Sequence, residues 1–128
     1  SRIFKKYIKA AKPNSIGILG LSYKENTDST KNSPSINFIK KYKKIKFFAY
    51  DPSIKQLKIK NVNLASSYSE VLKKSRIIFI MTPWKEFKKI NKNYFYKNEI
   101  KTIVDPFGLM NSFTEFFKKK KIKYYSLH

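Results

Sequence analysis

Residues 15 to 34 read SIGILGLSYKENTDSTKNSP: an apolar run broken by two glycines, then a polar loop, then a serine-proline pair. Ile16, Ile18, Leu19 and Leu21 predict a strand with almost no exposed face. Gly17 and Gly20 sit where backbone or ligand can approach and a side chain would collide. The polar loop that follows holds Lys24, Thr27, Asp28, Ser29, Thr30 and Lys31. It closes on Ser33-Pro34, an N-cap residue followed by the residue best suited to a first helical turn. A strand, a polar loop and a helix start in immediate succession are how a nucleotide-binding α/β unit opens.

The rest of the chain repeats that alternation. Ile36, Ile39 and Tyr42 fit one helix face, and the lysines at 40, 41, 43 and 44 crowd its last turns, where cations favour the helix dipole. Ile45 to Tyr50 predicts the second strand, ending at Asp51-Pro52. An acid there has two readings: a ribose ligand, or the start of a plain turn. A short helix and then a brief strand near Val62 to Leu64 are expected after it. Ser67 to Glu70 has the form of a capping box opening a helix that ends near Ser75. Ile77 to Met81 is an unbroken apolar run, typical of a central parallel strand covered on both faces. Thr82-Pro83-Trp84 leads to a helix carrying Phe87 and Ile90, with Trp84 either beside a ligand or in the core. Asn91 to Asn98 reads as a short helix or loop, Lys101 to Val104 as a strand, and Asp105 to Gly108 as a turn. Ser112 to Glu115 has the form of a second capping box, starting a helix whose Phe113, Phe116 and Phe117 face inward. A strand near Lys123 to Ser126 ends the series, with His128 in a solvated tail. Before all this, Ile3, Phe4, Tyr7, Ile8 and Ala11 recur at helical spacing until Pro13.

Strands alternating with helices predict an α/β protein: a Rossmann-like three-layer sandwich with a mostly parallel sheet of about five or six strands. Ligands of such sheets sit beyond the carboxyl ends of the strands, near the point where strand order reverses. Leu21 to Lys31, Thr82 to Trp84 and Asp105 to Gly108 all belong at those ends. In the first of them Lys24 offers a cation and Thr27, Ser29 and Thr30 offer hydroxyls, a set suited to pyrophosphate oxygens, while Tyr23 can pack on a base or sugar. The plainer reading is a solvated loop that caps its own helix.

Composition separates the function classes. The net charge of +21 invites a nucleic-acid reading, since polyanion binding is driven by cations releasing counterions from phosphates. Arg2 and Arg76, however, are the only arginines among 29 basic residues, a lysine skew that fits a compositional bias and solvated faces. A basic nucleic-acid-binding α/β module stays as the alternative, resting on charge alone. With no cysteine, thiolate metal sites, disulfides and a cysteine nucleophile are excluded for these residues. No long apolar run or signal-peptide pattern is present, which makes a cytoplasmic location without membrane contact the expectation.

GLSYKENTDSTKNSP resembles the GLAFKxNTDDxRxSP pattern of the UDP-glucose/GDP-mannose dehydrogenase family, at the opening of its C-terminal, UDP-binding domain. Tyr50-Asp51-Pro52, Thr82-Pro83-Trp84-Lys85-Glu86-Phe87 and Val104-Asp105-Pro106 follow in the family's order, so the likeness spans nearly the whole chain. It implies that Tyr23 and Lys24 bind a nucleotide sugar, a UDP-sugar first among them, with the Thr27 hydroxyl of the same loop as a third candidate from its chemistry, and that Lys31, at the family's arginine, faces NAD held by an N-terminal domain. It also implies that residues 1–12 are the tail of a helix from that missing region, that 13–128 form the nucleotide-sugar-binding domain, and that the parent protein is a homodimer. In the family two hydride transfers to NAD use a cysteine thiohemiacetal, so this chain alone is expected to bind and not to catalyse. Two departures stand out. Ser29 and Lys31 replace an acid and an arginine, and Phe107-Gly108 stand where many UDP-glucose dehydrogenases carry arginine.

Overall fold

The computed structural model describes residues 16–127 together with Lys5 and Lys6. Those two residues apart, the helix expected over Ile3 to Ala11 lies outside the described residues, as does His128. The described elements run β1 (Ile16–Leu19), α1 (Pro34–Lys41), β2 (Phe47–Tyr50), β3 (Val62–Leu64), α2 (Tyr68–Lys73), β4 (Ile77–Ile80), α3 (Lys85–Lys88), α4 (Lys92–Lys97), β5 (Thr102–Val104), a 3-10 turn (Asn111–Phe113), α5 (Thr114–Lys119) and β6 (Lys123–Tyr125). The six strands form one sheet in the order β3-β2-β1-β4-β5-β6. Every pairing is parallel. Strand order reverses between β1 and β4, the Rossmann-like arrangement.

The pleat sorts the side chains into two cores. Ile16, Ile18, Phe47, Ala49, Ile77 and Phe79 face one layer with Ile36, Phe38 and Ile39 of α1. Leu19, Tyr50, Ile78, Ile80 and Ile103 face the other, with Val71 and Leu72 of α2, Phe87, Phe95 and Phe117. A period of two along strands whose both faces are apolar requires cover on both sides, and the helices supply it. Phe117 anchors the second layer through ring contacts at 5.2–6.1 Å with Phe95, Phe113, Phe116 and Tyr124.

Gly17 within β1 and Gly20 just beyond it are consumed by this packing. A Cβ on Gly17 would lie 2.5 Å from Ser75 Oγ and 2.6 Å from Val71 Cγ1, so its absence lets α2 close on the strand. Gly20 has φ +104, and a Cβ there would lie 2.6 Å from the backbone nitrogen of Thr82. This positive φ also ends β1, leaving Leu21 buried in the loop and not in the strand.

Three local expectations are corrected. Residues 53–61 form no helix; Ile54, Leu57 and Ile59 cover the first core from an irregular segment. Asn61 holds that segment, its Nδ2 donating to the carbonyls of Ile39, Tyr42 and Ile45 at 2.9–3.1 Å, so that a side chain closes the open end of α1. The Ser112 capping box does not form. Ser112 lies inside the 3-10 turn, α5 begins at Thr114, and the Thr114 hydroxyl donates back to Asn111 O at 2.7 Å. At α2 the Ser67 hydroxyl does accept from Glu70 N at 3.2 Å, but Glu70 reaches back to Ser66.

Candidate functional site

Beyond the carboxyl ends of β1, β2 and β4, the chain from Gly20 to Ser33 folds into a loop held from below by buried side chains. Asp51 is its centre. It follows β2 directly, is 1% exposed, and its Oδ2 accepts from Leu21 N at 2.7 Å, Ser22 N at 2.9 Å and Trp84 Nε1 at 3.2 Å. The Ser22 hydroxyl lies 3.0 Å from the same oxygen and 2.9 Å from Lys24 O. Asp51 Oδ1 accepts from Ser53 N at 2.9 Å, and the Ser53 hydroxyl sits 2.8 Å from it. Burial pushes the carboxyl up, but the backbone N–H groups of Ser22, Leu21 and Ser53 and the Ser53 hydroxyl outweigh it and hold Asp51 below the ordinary carboxylate range.

Of the two readings of Asp51 the geometry supports the turn: both oxygens are taken up by protein donors, and the carboxylate organises the turn and the loop. Of the two roles left open for Trp84 the structure shows the packing one: the ring is half-buried against the second core, and its indole N–H is spent on Asp51.

Further ties fix the loop along its length. The Ser33 hydroxyl donates to Leu21 O at 2.7 Å and also accepts from Ile36 N at 3.3 Å as the N-cap of α1. Ser35 Oγ donates to Gly20 O at 2.6 Å, and Thr82 Oγ1 to Ser22 O at 3.0 Å. Ser53 Oγ also reaches Thr27 O, at 2.6 Å. Within the loop, Tyr23 N donates to Ser29 O at 2.7 Å, and Asn26 and Asn32 take the left-handed conformation that asparagine tolerates.

On this scaffold Tyr23 is 55% exposed, and Lys24, Ser29 and Lys31 are exposed with it. Thr27 is half-buried, and its hydroxyl accepts from Ser29 N at 3.2 Å. The four residues singled out from sequence therefore share one loop, beside the N-terminus of α1 and the switch point. A cavity of about 210 Å³ lies at the carboxyl ends of β2 and β3, with Tyr50, Asp51, Lys55, Leu64 and Ser66 in its wall. Tyr50 donates to Glu86 Oε2 at 2.7 Å; burial, and then Glu86, push its phenol well above the usual range.

Thr82 and Trp84 join the loop as expected. Asp105 turns elsewhere: it is fully buried, and its Oδ2 accepts from Met110 N at 2.7 Å and from Tyr124 OH at 2.6 Å. That closes the 105–110 segment on β6. Sequence reasoning missed Ser22, Ser35 and Ser53 as organisers of the loop. The signal available was their place beside strand ends and an Asp-Pro turn, where short hydroxyl side chains bond nearby backbone.

Residues 17–112 match the UDP-glucose/GDP-mannose dehydrogenase family, UDP binding domain. The UDP-glucose 6-dehydrogenase of Rickettsia prowazekii (strain Madrid E) is 35% identical over 125 residues, 91% of this chain and 28% of the relative. A UDP-D-ManNAc dehydrogenase from Pyrococcus horikoshii superposes with a TM-score of 0.60 at 33% identity, covering 80% of this chain and 24% of that one. The fold alone is matched more closely, at a TM-score of 0.76 and 16% identity, by the NDP-N-acetyl-D-galactosaminuronic acid dehydrogenase of Methanosarcina mazei Go1, over 97% of this chain and 27% of that one. The chain thus spans about a quarter of the length of such relatives, 24–28%. The nucleic-acid alternative has no counterpart among them. Motif, sheet order and relatives agree, and the chain belongs to the UDP-glucose/GDP-mannose dehydrogenase family, matching its UDP-binding domain.

Proposed function

We propose that residues 13–128 are the nucleotide-sugar-binding domain of a longer NAD-dependent dehydrogenase that oxidises the primary alcohol of a UDP-sugar to a carboxylate. The observation that carries this reading is the loop itself: exposed Tyr23 and Lys24 on a backbone tied down by Asp51, Ser53, Ser33 and Thr82, at the switch point of a family-matched sheet. Lys24 supplies the charge for the diphosphate, the Thr27 hydroxyl a short-range hydrogen bond, and Tyr23 a ring for base or sugar. The N-terminus of α1 has no acidic residue in its first turn and adds partial positive charge on the same side.

Gly17 and Gly20 are taken up by packing, since a Cβ at either would meet Ser75, Val71 or Thr82. In this reading the cofactor is held by an N-terminal region that residues 1–12 connect to, with exposed Lys31 as this domain's contribution towards it. The catalytic thiolate comes from that region too, since this chain has no cysteine. The parent is a homodimer in this reading, and no helix of the described residues is long and apolar enough to cross a membrane.

Calorimetry with UDP, UDP-glucose, UDP-N-acetylglucosamine and GDP-mannose on the full-length protein tests this. Charge-assisted hydrogen bonds are worth about 1.5–3 kcal/mol, so Lys24→Ala should weaken binding by roughly ten- to a hundredfold while Lys31→Ala leaves it unchanged. A ligand that binds Lys24→Ala as tightly as the wild type overturns the assignment.

A further inference from the structure

The turn after β2 touches the loop at two separated points, and both contacts come from one short segment. Asp51 takes the N–H groups of Leu21 and Ser22 at the loop's start. Ser53, two residues on, reaches Thr27 O in its middle at 2.6 Å. Tyr23 and Lys24 lie between those points, and Thr27 is the second of them. The same carboxylate oxygen holds the indole N–H of Trp84, from the loop after β4. One buried anion thus joins the three strand ends that surround the switch point.

We infer that Asp51 and Ser53 are the positioning residues of the nucleotide-sugar site, fixing the loop so that Tyr23, Lys24 and Thr27 stand in register before ligand arrives. This rests on the loop being that site. An exposed lysine on a free loop would surrender chain entropy on binding; a lysine whose flanking backbone is already pinned surrenders less, and the difference appears as affinity. Neither Asp51 nor Ser53 needs to touch the ligand for this. The carboxylate suits the task because both of its oxygens accept, whereas an amide of the same shape accepts on one side only. In Asp51→Asn the amide oxygen can face Leu21, Ser22 and Trp84, or face Ser53, and the NH2 group then meets donors on the other side.

The test uses the full-length protein, with UDP as the probe and three variants: Asp51→Asn, Ser53→Ala and Asn61→Ala. Asn61 is the control. Its three hydrogen bonds are as structural as those of Asp51, but they lie at the opposite end of the strands and hold α1 and not the loop. Ser53→Ala should raise the UDP dissociation constant about three- to tenfold, and Asp51→Asn about tenfold or more, with Asn61→Ala unchanged within twofold. Hydrogen exchange supplies a readout that does not need ligand: the amides of Leu21 and Ser22 should lose protection in Asp51→Asn and keep it in Asn61→Ala. If Asp51→Asn fails to fold, Ser53→Ala alone decides. Equal UDP affinity in Ser53→Ala and wild type, or equal loss in Asn61→Ala, overturns the inference. Wild-type protein that binds no UDP while the exchange pattern changes as expected would remove the assignment of the site and leave Asp51 as an organiser of the loop only.

Discussion

Gly20→Ala separates a packing glycine from a ligand-cradling one. At φ +104 an alanine is strained by about 1–2 kcal/mol, as for any L-residue forced into the left-handed half of backbone space. Its Cβ would also meet Thr82 at 2.5 Å from the side chain and 2.6 Å from the backbone nitrogen, and backbone cannot swing aside, which adds about 1–3 kcal/mol of overpacking. The expected loss is about 2–5 kcal/mol, a large fraction of the 5–15 kcal/mol typical of a domain. Gly17→Ala offers the comparison. Its Cβ meets only side-chain atoms, those of Ser75, Val71 and Ile78, so the overpacking cost of about 1–3 kcal/mol stands alone. Urea denaturation of both variants measures the difference, with Gly20→Ala the less stable. A Gly20→Ala protein as stable as wild type that had lost ligand binding would refute the reasoning, because that is how a glycine kept open for a phosphate behaves.

Other substitutions read other parts of the scaffold. Asn61→Ala removes the amide shared by three part-buried carbonyls, of which Ile39 O and Tyr42 O keep backbone donors, and should cost about 1 kcal/mol in urea denaturation. Lys121 takes φ +58 just beyond α5, where Ile122 N bonds Phe117 O and Lys121 N bonds Lys118 O, the pattern usually completed by glycine. Lys121→Gly should therefore stabilise the domain by a few tenths to about 1 kcal/mol, seen as a higher melting temperature. Asp51 is held below its ordinary value, so its contribution to stability is present above the unfolded-state value near 3.9 and is lost as pH falls through the lower folded one. An acid titration of stability should be shallower below about pH 4 in Asp51→Asn than in wild type.

The sheet could be read in advance because its signals are local. Ile77 to Ile80 is apolar at every position and became the strand beside the switch point, while the Ser33-Pro34 pair marked the start of α1 to the residue. Residues 53–61 misled because Ile54, Leu57 and Ile59 follow neither a helical nor a strand period. Their burial comes from lying across the first core, and the bonds that hold them there reach from Asn61 to carbonyls 16 to 22 residues away. The exposed members of the candidate site were legible from residue type and order. Its support was not, since Asp51 meets Leu21 and Trp84 across separations of 30 and 33 residues, and an Asp-Pro turn looks the same whether its carboxylate faces ligand or loop.

Residue-resolved NMR of the chain titrated with UDP reads the loop's role at each amide. Shifts should concentrate in the amides from Leu21 to Lys31, in Thr82 and in the indole N–H of Trp84, growing with UDP and far weaker with uridine. The far end of the sheet carries a lysine-rich cavity of about 350 Å³ between Lys97, Lys101, Lys120 and Lys121, where a merely charge-seeking anion would settle. Shifts gathered there, with the loop unmoved, would show that the loop is not the nucleotide site.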